Sequence, residues 1–289
     1  MLCFKMGFSS FATLSPLKPK DIKNSSSEHS SFLKWFSGFT DAITSYQVRF
    51  KKYSTKRVVN NNLCLVVWGI NLTSTIGTGR FTKQVSGMIK LAPYQMSVII
   101  GLLLARRAGW LTIASKTTIN ARLGFKQSLF QANYVWFVFN LLSHYCSSYP
   151  HLTKGNRLGK PNYGLQFFTR GLSCFTELHS LFYPQGTKII PEALRAYDLL
   201  TPVALAHWIM GDGGLKSKGI FLCTDSYSIQ DVIRLSNVLI IRYDLKCTLH
   251  KSSNGRGYRI YISRNSVWKV VEIVKPYLIP SMYYKVGIL

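Results

Sequence analysis

The sequence predicts an α+β fold made of two related halves. Each half opens with an apolar helix and continues through strands, a second helix, more strands and a last helix. Short segments recur at matching places, so that Gly109-Trp110-Leu111 corresponds to Gly213-Gly214-Leu215. An order of elements used twice predicts a pseudo-twofold protein, and that symmetry suits a nucleic-acid duplex. The alternative is a pair of ordinary α+β domains that match by chance.

In the first half, the apolar run from Tyr94 to Arg107 predicts a helix. A polar alternating stretch follows from Leu111 to Lys126, and then an aromatic helix near Asn133 to Tyr145. Next comes a hairpin-like segment with Gly164 to Arg170 as one strand. A helix that ends at Phe182-Tyr183-Pro184 completes this half.

In the second half, Thr201 is a predicted N-cap for an apolar helix over Pro202 to Gly211. A strand at Lys218 to Cys223 leads into a helix at Ile229 to Ile241. Two further strands, Leu245 to Leu249 and Tyr258 to Ser263, flank Asn254-Gly255, which is a hairpin signal. A helix from Val267 to Pro276 closes the half. We therefore predict a partly disordered N-terminal extension over 1–90, a first repeat over 91–197 and a second over 198–289.

The charge of the chain points to a polyanionic partner. The 36 Lys and Arg residues outnumber the 11 Asp and Glu residues, which gives a formal net charge of +25. No acidic residue occurs between Asp41 and Glu177. A one-signed surface suits phosphates, because basic side chains release the counterions condensed on nucleic acid. An anionic membrane surface and a biased codon usage are the competing explanations.

The cysteines and the apolar runs exclude other classes of protein. The six cysteines are scattered without a CxxC pair or a His at ligand spacing, so neither a zinc site nor a disulfide framework is predicted. The most apolar run, Met96 to Leu104, is too short to span a bilayer and ends at Arg106-Arg107. The sequence therefore predicts no membrane partner.

One acidic residue lies at an unexpected place. Asp212 ends the apolar helix at Pro202 to Gly211, where the negative end of the helix dipole disfavours a carboxylate. A bound divalent cation would offset that cost, and phosphodiester hydrolysis needs such a cation. An Asp that simply begins a turn before two glycines is the plain alternative.

Leu205 to Gly213 resembles the LAGLIDADG motif of homing endonucleases, with Asp212 at the acidic position. The segments Ile220 to Ser226 and Lys275 to Met282 also resemble this family, in particular its single-chain members encoded in mitochondrial introns. The resemblance covers about residues 92–288. It implies two pseudo-symmetric LAGLIDADG repeats of αββαββα type, which form a DNA-binding saddle with their apolar helices paired. Small residues one turn apart, Gly101 and Ala105, suit that pairing, whereas His207 replaces the expected small residue in the second helix and is interpreted as a packed, satisfied histidine.

The first copy of the motif departs from the family pattern. It places Arg106 at the acidic position, and two extra residues precede Gly109-Trp110. A guanidinium cannot ligate a cation, and it stays charged at any usable pH. The family takes one acid from each helix, so the resemblance implies that cleavage of at least one DNA strand is lost.

The resemblance also implies the other site residues. Asp212 is the expected ligand of a divalent cation, Mg²⁺, and Lys188 and Lys285 match the basic residues that flank the metals, although either could be an ordinary phosphate contact. Candidate base readers in the first half are Lys116, Asn120, Arg122 and Gln127. In the second half they are Lys216, Lys218, Thr224, Arg256, Arg259 and Arg264.

Three functions follow as hypotheses. The first is a monomeric, intron-encoded site-specific DNA endonuclease, mitochondrial and impaired by Arg106. The second is an RNA maturase that assists splicing of a group I intron and needs fewer acids. The third is a basic structural or membrane-surface protein.

Overall fold

The computed structural model describes residues 75–105, 108–114, 119–157, 159–192, 199–252, 255 and 257–288. The predicted features within 1–74, together with Arg106, Lys116 and Arg256, lie outside these residues. All described residues belong to one unit, Leu63–Leu289.

A short helix, α1 (Lys83–Met88), precedes the apolar helix α2 (Pro93–Leu104), with which the first repeat begins. Strands β1 (Gly109–Ile113) and β2 (Ala121–Ser128) lead to helix α3 (Ala132–Leu142). The hairpin of β3 (His151–Arg157) and β4 (Lys160–Phe168) then precedes helix α4 (Ser173–Phe182). Helix α2 ends three residues before the predicted end at 107, because the backbone at Ala105 is already extended.

The second repeat has the same order of elements. Helix α5 (Pro202–Asp212) runs into β5 (Gly213–Lys216) and β6 (Gly219–Leu222). Helix α6 (Ile229–Tyr243), strands β7 (Cys247–Lys251) and β8 (Tyr258–Ile262) and helix α7 (Val267–Val274) follow. The sequence did not predict β5, because two of its four residues are glycines.

Each repeat contains one antiparallel four-stranded sheet, and the strand orders correspond. The first sheet has the order β1-β2-β4-β3, and the second has the order β5-β6-β8-β7. In both sheets the first strand starts within a few residues of the end of the apolar helix. The α+β fold of two similar halves is therefore confirmed.

Alternating side chains give each sheet a buried face and an outer face. Leu123 and Phe125 on β2, and Ile260 and Ile262 on β8, are completely buried. Arg122 and Lys126 on β2, and Arg259 and Tyr261 on β8, point to the opposite side and remain accessible. Helices α3 and α4 pack against the first sheet and α6 against the second. No helix among the described residues is long and apolar enough to cross a membrane.

Hydrogen bonds from Arg170 help to fix the residues that precede the first repeat. The Arg170 guanidinium donates hydrogen bonds to the carbonyl oxygens of Thr75, Thr78 and Gly79 at 2.9–3.0 Å. It also lies over the ring of Phe81, 4.3 Å from the centroid. Residues 75–81, predicted as part of a partly disordered extension, are therefore held in place.

Candidate active site and nucleic-acid interface

The two apolar helices, α2 and α5, pack closely where small residues meet. A Cβ atom at Gly101 would overlap the carbonyl oxygen of Ala204 and would lie 2.6 Å from the Cβ of His207. One at Gly211 would lie 2.8 Å from the Cβ of Ala105. The seam between the repeats therefore depends on Gly101 and Gly211, as small residues at a helix contact require.

His207 lies fully buried in this seam. Its Nδ1 is 3.1 Å from the hydroxyl of Tyr134, and its ring stacks on Phe137. Burial lowers the pKa of His207 to about 3, so the imidazole is neutral. Its Nε2 atom has no hydrogen-bond partner among the described residues. His207 is therefore packed as predicted, but its two ring nitrogens do not both form hydrogen bonds, although that had been expected.

Asp212 is the last residue of α5, beside the buried ammonium group of Lys285. The Nζ atom of Lys285 donates to the carbonyl oxygen of Met210 at 2.6 Å and lies 3.4 Å from that of Ile209. Burial lowers the pKa of Lys285 to about 8, and the nearby charges of Asp212 and Cys223 oppose that shift. The lysine therefore caps the helix end, and it loses its proton at a lower pH than an exposed lysine.

Lys188 occupies the matching place in the first repeat. Its Nζ atom donates to the carbonyl oxygens of Ala105 at 3.4 Å and Gly109 at 3.3 Å, which connects the end of α2 to the start of β1. Burial lowers the pKa of Lys188 to about 8, and the charge of Asp212 raises it. Asp212 is thus close enough to act on the lysines of both repeats.

A tyrosine of the second repeat also contacts the end of α2. The Tyr227 hydroxyl donates to the carbonyl oxygens of Leu103 at 3.1 Å and Leu104 at 3.3 Å. Burial raises the pKa of Tyr227 well above its usual value, so the phenol stays protonated and keeps donating. This contact holds the helix that should carry the first acid, although the side chain of Arg106 itself lies outside the described residues.

The donor set around Asp212 decides which cation the site could hold. Among the described residues, no three His, Cys, Asp or Glu side chains cluster at metal-binding distance. Mg²⁺ is commonly bound by one or two carboxylates together with waters and substrate phosphates, whereas zinc needs a protein cage. One carboxylate with two buried amines beside it therefore fits a Mg²⁺ ion whose remaining ligands are water and phosphate oxygens.

The accessible cations of the two sheets lie on their outer faces. Arg122 on β2 points away from the buried Leu123 and covers the ring of Phe168, with its guanidinium carbon 4.1 Å from the centroid. Lys216 on β5 is exposed, and its Nζ lies 5.8 Å from the centroid of Phe221. Both remain candidates for contacts with nucleic acid.

Two predicted base readers are already engaged. Thr224 is completely buried and donates its hydroxyl to the carbonyl oxygen of Tyr258 at 2.6 Å, so the prediction that it contacts bases is wrong. Arg259 forms a bidentate ion pair with Asp225, with Nε–Oδ1 and Nη2–Oδ2 distances of 2.6 and 2.9 Å. Because Asp225 is nearly buried, Arg259 acts as its counterion and is not free to read a base.

The other predicted readers are spread over different places. The Asn120 amide oxygen accepts a hydrogen bond from Thr176 on α4. Gln127 lies on the same face of β2 as the buried residues Leu123 and Phe125. Lys218 is exposed in the turn between β5 and β6, and Arg264 is exposed in a short 3₁₀-helix (Arg264–Ser266) after β8. Of these four, Lys218 and Arg264 keep accessible charges.

Sequence reasoning missed Asp225 and Tyr227 as members of the site. The charge of Asp212 contributes to the pKa shifts of both Arg259 and Tyr227, which places these groups around one carboxylate. A signal was present, because Asp225-Ser226 corresponds to Gln127-Ser128 in the first repeat. These roles were hidden because the ion pair joins β8 to the turn after β6 and the Tyr227 contact joins the two repeats, so both connect residues far apart in sequence.

Known proteins share this architecture. A cytochrome b mRNA maturase, bI2, of Debaryomyces hansenii is 34% identical over 170 residues, which are 57% of this chain and 64% of that protein. The intron-encoded endonuclease ai4 of Dictyostelium discoideum is 36% identical over 124 residues, 43% of this chain and 77% of that protein. Thus the chain spans less than two thirds of the length of the first of these relatives.

A solved structure agrees with the fold. The homing endonuclease I-WcaI bound to its DNA recognition sequence superposes with a TM-score of 0.65 at 26% identity, over 74% of this chain and 96% of that one. The model of the LAGLIDADG DNA endonuclease family matches residues 96–270, which is more than half of the chain. The chain therefore belongs to the LAGLIDADG DNA endonuclease family.

Proposed function

We propose that this protein binds a specific DNA duplex and hydrolyses a phosphodiester bond in one strand only, at Asp212. The observation that carries this proposal is the asymmetry of the helix ends. Both are contacted by a buried lysine, but the motif of α5 supplies Asp212 whereas the motif of α2 supplies Arg106. Two half-sites that bind DNA alike but differ in one acid favour nicking over a double-strand break.

The charges in the site support a reaction at a phosphate. Asp212 with phosphate and water oxygens would hold Mg²⁺, which when bound supplies Lewis-acid activation of water and neutralises the leaving oxygen. The ammonium groups of Lys188 and Lys285 lie in the same charged environment. In this proposal each lysine places a positive charge beside the phosphate and stabilises the negative charge that develops on its oxygens.

The remaining side chains position these groups. Lys285 joins the last turn of α5 to the C-terminal segment, and Tyr227 joins the second repeat to α2. Arg259 neutralises Asp225, so Asp212 is not faced by a second uncompensated carboxylate. In this proposal the carboxylate of Asp212 would hold the cation together with oxygens of the phosphate.

The second candidate function is that of an RNA maturase. The relative from Debaryomyces hansenii is named a cytochrome b mRNA maturase, and the substitution at Arg106 favours binding without complete cleavage. Because cytochrome b is encoded in mitochondrial DNA, we propose a mitochondrial location for either function. A group I intron RNA would then be the partner in the second case.

One pair of assays separates the two functions. The purified chain is incubated with a duplex spanning the intron-less form of its host locus, and separately with the intron-containing transcript, each with Mg²⁺. We expect selective binding to the duplex as a monomer, since one chain carries both repeats. Faster splicing of the transcript with no selective duplex binding would contradict the endonuclease proposal and support the maturase.

A further inference from the structure

The outer faces of both sheets carry aromatic rings beside the apolar helices. In the first sheet, Trp110, Gly124 and Phe168 are direct cross-strand neighbours on β1, β2 and β4. In the second sheet the corresponding row is Gly214, Phe221 and Tyr261 on β5, β6 and β8. Trp110 and Gly214 are each the second residue of the first strand, so both rows lie at the same position in their repeats.

These rings point away from the hydrophobic core. Phe221 lies between the buried Ile220 and Leu222, and Tyr261 lies between the buried Ile260 and Ile262, yet both rings remain partly accessible. Alternation along a strand therefore places them on the outer face. Trp110, between Gly109 and the buried Leu111, is on the outer face of its sheet for the same reason.

Glycines beneath Trp110 and Tyr261 leave room for these rings against the sheet, and Trp110 meets Phe168 edge to face. A Cβ atom at Gly219 would overlap the ring of Tyr261, and one at Gly124 would lie 2.6 Å from the Trp110 ring. The centroids of Phe221 and Tyr261 are 4.7 Å apart, and His250 packs against both rings. The result in each repeat is a fixed apolar surface that is held by the backbone beneath it.

The position of these rows decides what they would meet. Gly214 is two residues after Asp212, and it pairs directly with Phe221. Base pairs next to the hydrolysed phosphate would therefore face the aromatic rings of these two rows. The charged side chains of Arg122 and Lys216 lie beside the same rings. Among major-groove features, the C5-methyl group of thymine is the one that an apolar surface recognises.

We propose that the Trp110–Phe168 row and the Phe221–Tyr261 row select thymines near the centre of the DNA target by contact with their methyl groups. This inference rests on the proposed binding of duplex DNA and adds its central specificity. Duplex DNA is favoured over unpaired RNA because the rows repeat in both halves, as a twofold target requires.

The test replaces thymine with deoxyuridine, which removes only the methyl group. The full chain first selects its preferred duplexes from a library of random sequence, and we expect thymines on both sides of the midpoint of the consensus. Deoxyuridine at those thymines should weaken binding about fourfold per methyl group, the scale of burying one such group. No protein variant is needed for this step, so a failure to fold cannot confuse it.

Variants then assign the effect to the rings. In Tyr261→Ala the deoxyuridine penalty in the second half-site should disappear, whereas Tyr261→Phe, which keeps the ring, should preserve it. Selective duplex binding with no deoxyuridine penalty would overturn this inference and leave the proposed function standing. Absence of any selective duplex binding would overturn both. Tighter binding to single-stranded DNA or RNA that depends on Tyr261 would overturn it in favour of base stacking.

Discussion

The ends of helices α2 and α5 occupy corresponding places in the two repeats, yet their chemistry differs. Asp212 is the last residue of α5, whereas α2 ends at Leu104 and the sequence continues with Ala105-Arg106-Arg107. Both ends keep a lysine on their carbonyl oxygens, half-buried in the case of Lys188 and buried in the case of Lys285. The first repeat therefore has no acidic residue at the matching place in its sequence, although a lysine contacts its helix end as in the second repeat.

This difference indicates that the two lysines stabilise the helix ends independently of any part they take in hydrolysis. The last carbonyl groups of a helix need hydrogen-bond donors, and a cation near them is favoured by the helix dipole. Lys188 meets that need at Ala105 and Gly109 even though its own motif supplies no carboxylate. A lysine at this place is therefore compatible with either an active or an inactive half-site.

The largest effect should come from removing the remaining acid. Asp212→Asn should abolish nicking, by roughly 1,000-fold or more, because several kcal/mol of transition-state stabilisation depend on that carboxylate. Duplex binding should be retained. Single-turnover nicking of a labelled duplex measures the loss. Asp244→Asn is the matched control, since Asp244 lies at the exposed end of α6. Activity that survives in Asp212→Asn but falls in Asp244→Asn would contradict the assignment.

Restoring the first acid should make the two repeats alike. Arg106→Asp, made with and without deletion of Arg107 and Ala108, places a carboxylate after α2 with either of two spacings. We expect cleavage of the second strand to appear in one of them, as linear product from a circular plasmid. If neither variant gains second-strand cleavage although both bind DNA, Arg106 is not what disables the first repeat.

The helix seam should tolerate no extra methyl group. Gly101→Ala should lower the free energy of unfolding by about 2 kcal/mol, because the added Cβ would force the helices apart. Gly214→Ala is the control, since no atom lies within 4 Å of its Cβ position. Urea denaturation compares the two variants. Equal stability would show that the helices are not in close contact.

The buried lysines predict how stability depends on pH. Lys188 and Lys285 lose their protons at about pH 8 in the folded protein but at about 10.5 when exposed in the unfolded chain. Unfolding therefore takes up protons between these values, and the free energy of unfolding should rise with pH across that window, by up to about 3 kcal/mol per lysine. In Lys188→Met the rise should become smaller. A curve unchanged by that substitution would mean that Lys188 is not buried.

Much of the fold could be predicted from the sequence, because apolar periodicity indicates α6, and a continuous apolar run after Thr201 and Pro202 indicates α5. The strand β5 was missed since Gly213 and Gly214 carry no side-chain pattern. In the candidate site, Asp212, Lys188 and Lys285 were predicted through the family resemblance, and their roles stay predictions. The ion pair of Arg259 with Asp225 could not be, because it joins residues 34 positions apart that meet only once the sheet has formed.

The most direct test follows the two DNA strands separately. A supercoiled plasmid that contains the intron-less target, with each strand labelled at the site, is incubated with the chain and Mg²⁺ under single-turnover conditions. We expect relaxed circles in which one strand is cut, and always the same strand. No linear product should form before the nicking of that strand is complete. Cleavage of both strands at similar rates would contradict the claim that only the second repeat retains its chemistry.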